Sequence, residues 1–352
     1  MPIRMPIDGS DGLIGRIDGG LARLTSAEFR VRRPAQTVRL DGRRMGGVQR
    51  IGVICNARAH RNLTREFSPF TSASGIDFAA PRTQEELHAV LARFASRGID
   101  ALLIDGGDGT IRDVITAAAQ HFGDAMPDIA VVPAGKTNAL AIDLGVPTNW
   151  TIKAAIEAIH GPSRTQRSPV EIRRVDGREP MRVGFLFGAG AFVRATALAQ
   201  ETHRIGAFNG LAVGLSLAGG IAQTLFGGRD NVWRRGDPIR VELDDGRSVE
   251  RPFYLLLAST LERLPLGLKP FGRPRPGMKL LGVDAPPKAL FVSAPILVAG
   301  SEAGWLARAG YHRLDANRVG LTLDTGFVLD GETYAGGELI VAQGRALNFV
   351  VP

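Results

Sequence analysis

Ile104-Asp105-Gly106-Gly107-Asp108-Gly109-Thr110 places three glycines around one carboxylate where an apolar run ends and a helical pattern begins. Ala101 to Ile104 reads as a buried strand. Ile111 to Ala118 continues as a helix, with Thr110 as its cap and Asp113 three residues on. The loop thus lies between the carboxyl end of a strand and the amino end of a helix. Open α/β sheets bind ligands there, and the helix dipole favours an anion. Glycines let backbone N–H groups close on phosphate oxygens. A tight strand-to-helix connection without any ligand is the plainer reading of the loop by itself.

A second strand-to-loop signal follows, Ile129-Ala130-Val131-Val132-Pro133, leading into Ala134-Gly135-Lys136-Thr137-Asn138-Ala139-Leu140-Ala141 and then Leu144-Gly145. Two phosphate-type loops on successive parallel strands would face one cleft. Near the carboxyl end stand Val328-Leu329-Asp330-Gly331-Glu332, Leu339-Ile340-Val341 and Ala346-Leu347-Asn348-Phe349-Val350-Val351-Pro352. Asp330-Gly331 behind an apolar run is also a good hairpin-turn signal in its own right.

These three stretches, in this order, resemble the diacylglycerol kinase-like lipid kinases. That family carries a Gly-Gly-Asp-Gly-Thr loop, then a segment matched here at Pro133, Gly135, Asn138, Ala141, Leu144 and Gly145, and ends on an Asp-Gly-Glu turn and a last strand closing on Val-Pro. The resemblance runs from about Arg50 to Pro352. The chain departs from the family at Lys136, where Thr is usual, at Asn56-Ala57-Arg58-Ala59-His60, where Asn-Pro and a Ser-Gly pair are more common, and at Val170-Glu171-Ile172, where an Asp is usual. Lys136 either exchanges a hydroxyl contact with phosphate for a charge contact or faces solvent.

The resemblance implies a nucleotide site built from Asn56, Gly106, Gly107, Gly109, Thr110, Gly135, Lys136, Thr137 and Asn138, with ATP and Mg²⁺ as cofactors. It implies Asp108 on phosphates and metal, Asp330 as the base for a lipid hydroxyl, and Glu332 on metal or ribose. Asp108 and Asp330 could exchange roles. The implied activity is ATP-dependent phosphorylation of the primary hydroxyl of a two-chain lipid: diacylglycerol, ceramide or a sphingoid base. A kinase of a soluble substrate, similar to the NAD kinases, shares the glycine and Asp loop and stays open. So does a catalytically silent lipid- or nucleotide-binding homologue.

The chain has 352 residues, 44% of them hydrophobic, enough for two domains with cores of their own. Alternating strand and helix signals predict a Rossmann-like, doubly wound α/β domain over residues 50–162. It includes a helix from Leu87 to Ser96 opened by a capping box at Thr83-Gln84-Glu85-Glu86, and another from about Thr151 to His160. Residues 1–49 read as an appended segment of unknown role.

Residues 163–352 change to short β-type runs, Met181 to Phe187, Ile239 to Leu243, Phe253 to Ala258, Leu290 to Val298 and Val319 to Leu323. These predict a mostly antiparallel β-sandwich domain for the lipid substrate, with the nucleotide cleft between the domains and a return of the last strand to the first domain left open.

The lone Cys55 excludes an internal disulfide and suits a small core position. Met1 to Ser10 lacks the apolar core of a signal peptide, and no uncharged run makes a convincing spanning helix. The expectation is a cytoplasmic protein, soluble or peripherally attached to the membrane. A net charge of +8 comes without any nucleic-acid motif, so an anionic membrane surface and polyphosphates are the expected partners rather than nucleic acid. A solvated basic surface explains the same charge, and a homodimer is left open. Ala207 to Phe226, uncharged throughout, suits a buried or acyl-chain-lining helix. Leu264 to Phe271 suits either a membrane-touching or an ordinary surface loop.

Overall fold

A computed structural model describes residues 49–56, 75–204 and 232–352. All lie within a unit running Val48–Pro352. The appended segment up to Val48, the Ala57-to-His60 stretch and the Ala207-to-Phe226 run lie outside the described residues.

The first sheet is built from β1 (Ile51–Cys55), β2 (Ile76–Ala79), β3 (Ala101–Gly106), β4 (Asp128–Pro133), β5 (Arg164–Arg167) and β17 (Leu347–Val350), in the order β2-β1-β3-β4-β17-β5. All pairs are parallel except β17 with β5. Its central strands are apolar along their length because helices cover the sheet. Leu87, Leu91 and Phe94 of α1 (Gln84–Ser96) and Ile111, Val114 and Ile115 of α2 (Asp108–Phe122) are buried in the same core as β1, β3 and β4. Two shorter helices complete the layer, α3 (Ala139–Asp143) and α4 (Ile152–His160).

Local signals explain most helix starts. Thr83 Oγ1 accepts from Glu86 N–H, and Thr151 Oγ1 accepts from Ala154 N–H. Glu86, expected to close the capping box on Thr83, instead accepts from the backbone N–H of Arg82. Thr110 does not cap α2 as expected. The helix starts three residues earlier, with Gly107 at the cap, and the Thr110 hydroxyl accepts from Asn56 Nδ2 at 2.7 Å.

The second sheet has eleven strands and is antiparallel throughout. Its order is β15-β14-β8-β10-β9-β13-β16-β6-β7, with β11 and β12 branching from β10. The strands are β6 (Val170–Arg174), β7 (Arg182–Gly184), β8 (Leu186–Gly190), β9 (Asp237–Leu243), β10 (Ser248–Ser259), β11 (Lys279–Asp284), β12 (Tyr311–Asp315), β13 (Arg318–Leu323), β14 (Phe327–Leu329), β15 (Glu332–Tyr334) and β16 (Gly337–Gln343). Alternation along β9 and β13 points Ile239, Val241, Val319, Leu321 and Leu323 into its core. Helices α5 (Ala191–Arg204) and α6 (Val232–Arg235) lie between β8 and β9 in the chain.

Leu290 to Val298, expected as a strand, is the helix α7 (Leu290–Val298), followed by α8 (Gly304–Arg308). A short, mostly apolar run broken only by Ser293 does not tell strand from helix by its pattern. Packing chooses: Leu290 and Leu297, nearly two turns apart, join Phe271, Leu306 and Tyr311 in a third cluster. Phe271 is therefore core, not the tip of a membrane-touching loop, whereas Leu266 is 85% exposed.

The two sheets are fastened together. The chain's last strand returns to the first sheet, between β4 and β5. Val183, Phe185 and Leu261 from the second half are buried in the first core. Asp143, at the end of α3, accepts from the backbone N–H groups of Glu262 and Arg263 and from Arg167 Nε. Thr116 Oγ1 both donates to Val183 C=O and accepts from Val183 N–H.

Phe349 on β17 has no exposed surface and meets Phe185 edge-on, with ring centres 6.2 Å apart. Phe349→Ala should therefore cost about 3 to 5 kcal/mol in chemical denaturation.

Candidate active site

The parallel register brings the loops to one level: Cys55 opposes Asp105, and Gly106 opposes Pro133. The chain runs from β1 outward to β2 in one direction and from β3 to β4 in the other, so the order reverses between β1 and β3. Ligand crevices form at such a switch point. A cleft of about 490 Å³ opens there, lined by Cys55 and Asn56 at the end of β1, Arg82, Thr83 and Gln84 at the start of α1, and Thr110 and Asp113 on α2. Arg82, Thr83 and Asp113 escaped the sequence reading. Thr83 carried a signal, its cap position, but a cap says nothing of what lies beyond the helix end.

The two glycine loops touch. A Cβ on Gly107 would sit 2.8 Å from the Cα of Gly135, and one on Gly135 would sit 2.5 Å from the Cα of Gly107. Neither glycine has a positive φ, so the requirement is close backbone approach rather than unusual conformation. Ala134 N–H donates to Gly106 C=O across the same contact. Gly109 stands apart, its nearest would-be neighbour at 3.9 Å.

Asn138 shapes the second loop. Its backbone is left-handed, with φ of 52°, its Oδ1 accepts from Gly135 N–H, and its Nδ2 donates to Gly135 C=O, both at 2.9 Å. The Asn138 amide is thus engaged within the loop, which it closes into a ring. Lys136 and Thr137 are exposed on that ring.

Asp108 begins α2 and turns its carboxylate toward the start of α3, where Leu140 N–H donates to Oδ1 at 3.4 Å. Burial raises its proton affinity above the usual carboxylate range, against the backbone N–H groups of residues 138 to 140 that lower it.

Asp330 approaches from the second sheet. Asp330-Gly331 is the two-residue loop between β14 and β15, both residues having positive φ (45° and 83°) as a type I′ hairpin needs. The hairpin reading of this motif is realised, and the turn presents the Asp330 carboxylate toward β8. Asp330 N–H donates to Leu186 C=O, and its carboxylate accepts from the backbone N–H groups of Phe185 and Leu186 at 2.9 to 3.2 Å. Burial first, and then the neighbouring Asp108 charge, push its carboxyl up to about 7. Glu332 starts β15, exposed, and no described hydrogen bond or ion pair joins it to Asp108.

The site therefore joins a carboxyl of the first glycine loop electrostatically to one from the second sheet, and Thr110 of that loop lines a cleft at helix amino ends. Such a site can hold an anionic group and accept a proton near neutral pH. Among the described residues no three His, Cys, Asp or Glu cluster so as to hold a metal by themselves. Mg²⁺, however, commonly takes one or two protein carboxylates and completes its shell from substrate phosphates and water. Two partly buried acids with raised proton affinity are a fit for a cation completed in that way.

Two outcomes are expected. Gly107→Ala should drive the loops apart and cost roughly 1 to 3 kcal/mol in thermal denaturation, while Gly109→Ala stays near neutral. Because Asp330 holds its proton more tightly in the folded chain than in the unfolded one, it stabilises the protein less as pH rises from about 4 through 7. Asp330→Asn should remove that decline, so its stability relative to the parent should rise over the same interval in melts taken across pH.

Residues 50–172 match the family model for the diacylglycerol kinase catalytic domain. Over 108 residues, 31% of this chain and 32% of the relative, the chain is 38% identical to a diacylglycerol kinase of Bacillus subtilis strain 168. Over 207 residues, 55% of this chain and 64% of the relative, it is 28% identical to a probable lipid kinase YegS-like of Xanthomonas euvesicatoria pv. vesicatoria. The chain thus spans between 32% and 64% of these curated relatives' length. A crystal structure of a diacylglycerol kinase from Bacillus anthracis strain Sterne superposes with a TM-score of 0.59 at 17% identity, over 86% of this chain and 97% of that one, a likeness of fold. Residues 50–172 are thus similar to the diacylglycerol kinase catalytic domain, and the structural neighbour extends the likeness of fold through the second, antiparallel sheet.

Proposed function

We propose that this chain is an ATP-dependent lipid kinase that transfers the γ-phosphate to the primary hydroxyl of a two-chain lipid, with diacylglycerol, ceramide or a sphingoid base as the acceptor class. The observation that carries the reading is the electrostatic pairing of Asp108, in the glycine loop whose Thr110 lines the cleft at the switch point, with Asp330 from the second sheet. The relatives' names support a lipid acceptor. They include an acylglycerol kinase of Mus musculus, 22% identical over 38% of this chain and 32% of that one.

In this reading the nucleotide lies along the cleft, its phosphates against the loops of Gly107 and Gly135 and the amino end of α2. Asp330 takes the proton of the acceptor hydroxyl as the oxygen bonds to the γ-phosphorus and the bond to ADP breaks. An acid titrating near 7 suits that task, being about half ionised at neutral pH and basic enough to accept. The backbone N–H groups of Phe185 and Leu186 hold its carboxylate in one orientation. Mg²⁺, when bound, supplies neutralisation of the phosphate charge, and Asp108 is the residue suited to hold it. Glu332, exposed just past Asp330, keeps the role on metal or ribose as a proposal.

Peripheral docking on an anionic membrane belongs to the same reading, because the acceptor hydroxyl lies at a bilayer interface. The net charge of +8 and the exposed Leu266 and Lys269 supply Coulombic and apolar attraction. No helix among the described residues is long and apolar enough to cross a membrane.

The test incubates the purified chain with labelled ATP, Mg²⁺ and a panel of diacylglycerol, ceramide, sphingosine, undecaprenol and NAD. A labelled lipid is expected, and Asp108→Asn should lower its formation about a hundredfold or more without unfolding the protein. Label on NAD alone overturns the lipid acceptor. ATP binding without transfer to any acceptor identifies a silent homologue.

A further inference from the structure

Arg112 stands one turn beyond Asp108 on α2 and is only 7% exposed. Its Nη1 donates to Leu329 C=O at 3.2 Å, and its Nε and Nη2 both donate to Asp113 Oδ1, at 2.9 and 2.7 Å. The guanidinium lies 5.9 Å from the centre of the Tyr334 ring, which Arg182 faces at 4.2 Å. Leu329 is the last residue of β14, directly before Asp330, and Tyr334 ends β15. Arg112 therefore meets both strands of the hairpin that carries Asp330. It does so from the helix whose first residue is Asp108, and it also fixes Asp113, which lines the cleft.

Burying a guanidinium is costly unless its donors are used. Here they are spent on one carbonyl beside Asp330 and one carboxylate beside the cleft, rather than on the sheet core. A planar fork can serve both partners at once, which a lysine's single ammonium cannot do in the same geometry. A second tie from the same helix, Thr116 to Val183, joins the two sheets through β7 without touching the hairpin. From α2, the Thr116 bond thus ties the sheets without meeting the hairpin, and the Arg112 bonds meet it directly.

We propose that Arg112 is a positioning residue for phosphoryl transfer, fixing the Asp330 hairpin against α2 and thereby setting the separation of Asp330 from Asp108. This rests on the kinase reading above. Misplacement of a reacting group by about 1 Å commonly costs up to a hundredfold in rate, so turnover should suffer more than nucleotide binding.

The test compares Arg112→Met, Arg112→Lys and Thr116→Val in the full chain, by steady-state kinetics on the accepted lipid and by amide hydrogen exchange at Phe185 and Leu186. Arg112→Met should lower kcat about ten- to a hundredfold with KM for ATP changed by no more than about twofold. Exchange at the two amides that hold Asp330 should quicken by about tenfold or more. Arg112→Lys, which keeps the charge, should recover only part of both, and it carries the same measurements if the Met variant does not fold. Thr116→Val should lower the melting temperature while leaving kcat within about threefold. The proposal is overturned if the Arg112 variants exchange and turn over like the parent, or if kcat falls no further than in Thr116→Val at an equal loss of melting temperature. Should the parent chain transfer no phosphate to any acceptor, the kinase reading fails by itself, and hydrogen exchange still decides whether Arg112 holds the hairpin.

Discussion

Two carboxyl groups that repel one another, each partly shielded from water, are brought near one another, and much of the architecture serves that placement. Asp108 comes from the first turn of a helix on the parallel sheet, Asp330 from the tip of a hairpin on the antiparallel one. Each pays for burial with a raised proton affinity, and Asp330 is raised further by its neighbour's charge. Backbone N–H groups offset part of that penalty on both sides, from residues 138 to 140 for Asp108 and from residues 185 and 186 for Asp330. Such a pair titrates as a unit, and its charge state near neutral pH answers to whatever cation or anion enters between its members.

The pair survives only if the two sheets cannot drift. Their fastening is distributed: β17 completes the first sheet with the last strand of the chain, Asp143 takes the N–H groups of Glu262 and Arg263, and Thr116 grips Val183. Phe185 joins both tasks, its ring against Phe349 in the first core and its N–H on Asp330. Above this junction the two glycine loops press backbone against backbone at Gly107 and Gly135, closer than any side chain would permit. A phosphate approaching the amino end of α2 thus meets main chain rather than side chains.

Much of this was legible in the residues. Buried parallel strands announced themselves as apolar runs, and Thr83 and Thr151 marked helix starts by a hydroxyl ahead of a periodic stretch. Asp330-Gly331 declared a hairpin, because few other residues tolerate positive φ at two successive positions. The glycine loops, with Asp108 between them, and the last strand were also legible. Each of these is a local property, decided within about ten residues by backbone sterics, capping or periodicity.

What the sequence alone left undecided are relations between distant segments. The mostly apolar run of α7 did not tell strand from helix by its pattern, and Phe271 looked like a loop residue until Leu290 and Leu297 closed over it. Thr110 resembled a cap, yet its hydroxyl serves Asn56. Arg112 was one more charge on a helix until the fold set Leu329 and Tyr334 beside it. By its residues the chain determined its strands, its turns and the carboxylates available for chemistry. Which of those carboxylates meet, how far from water and under whose hold, was decided by tertiary packing, because desolvation and charge–charge coupling depend on neighbours that the chain brings together only when both sheets are assembled.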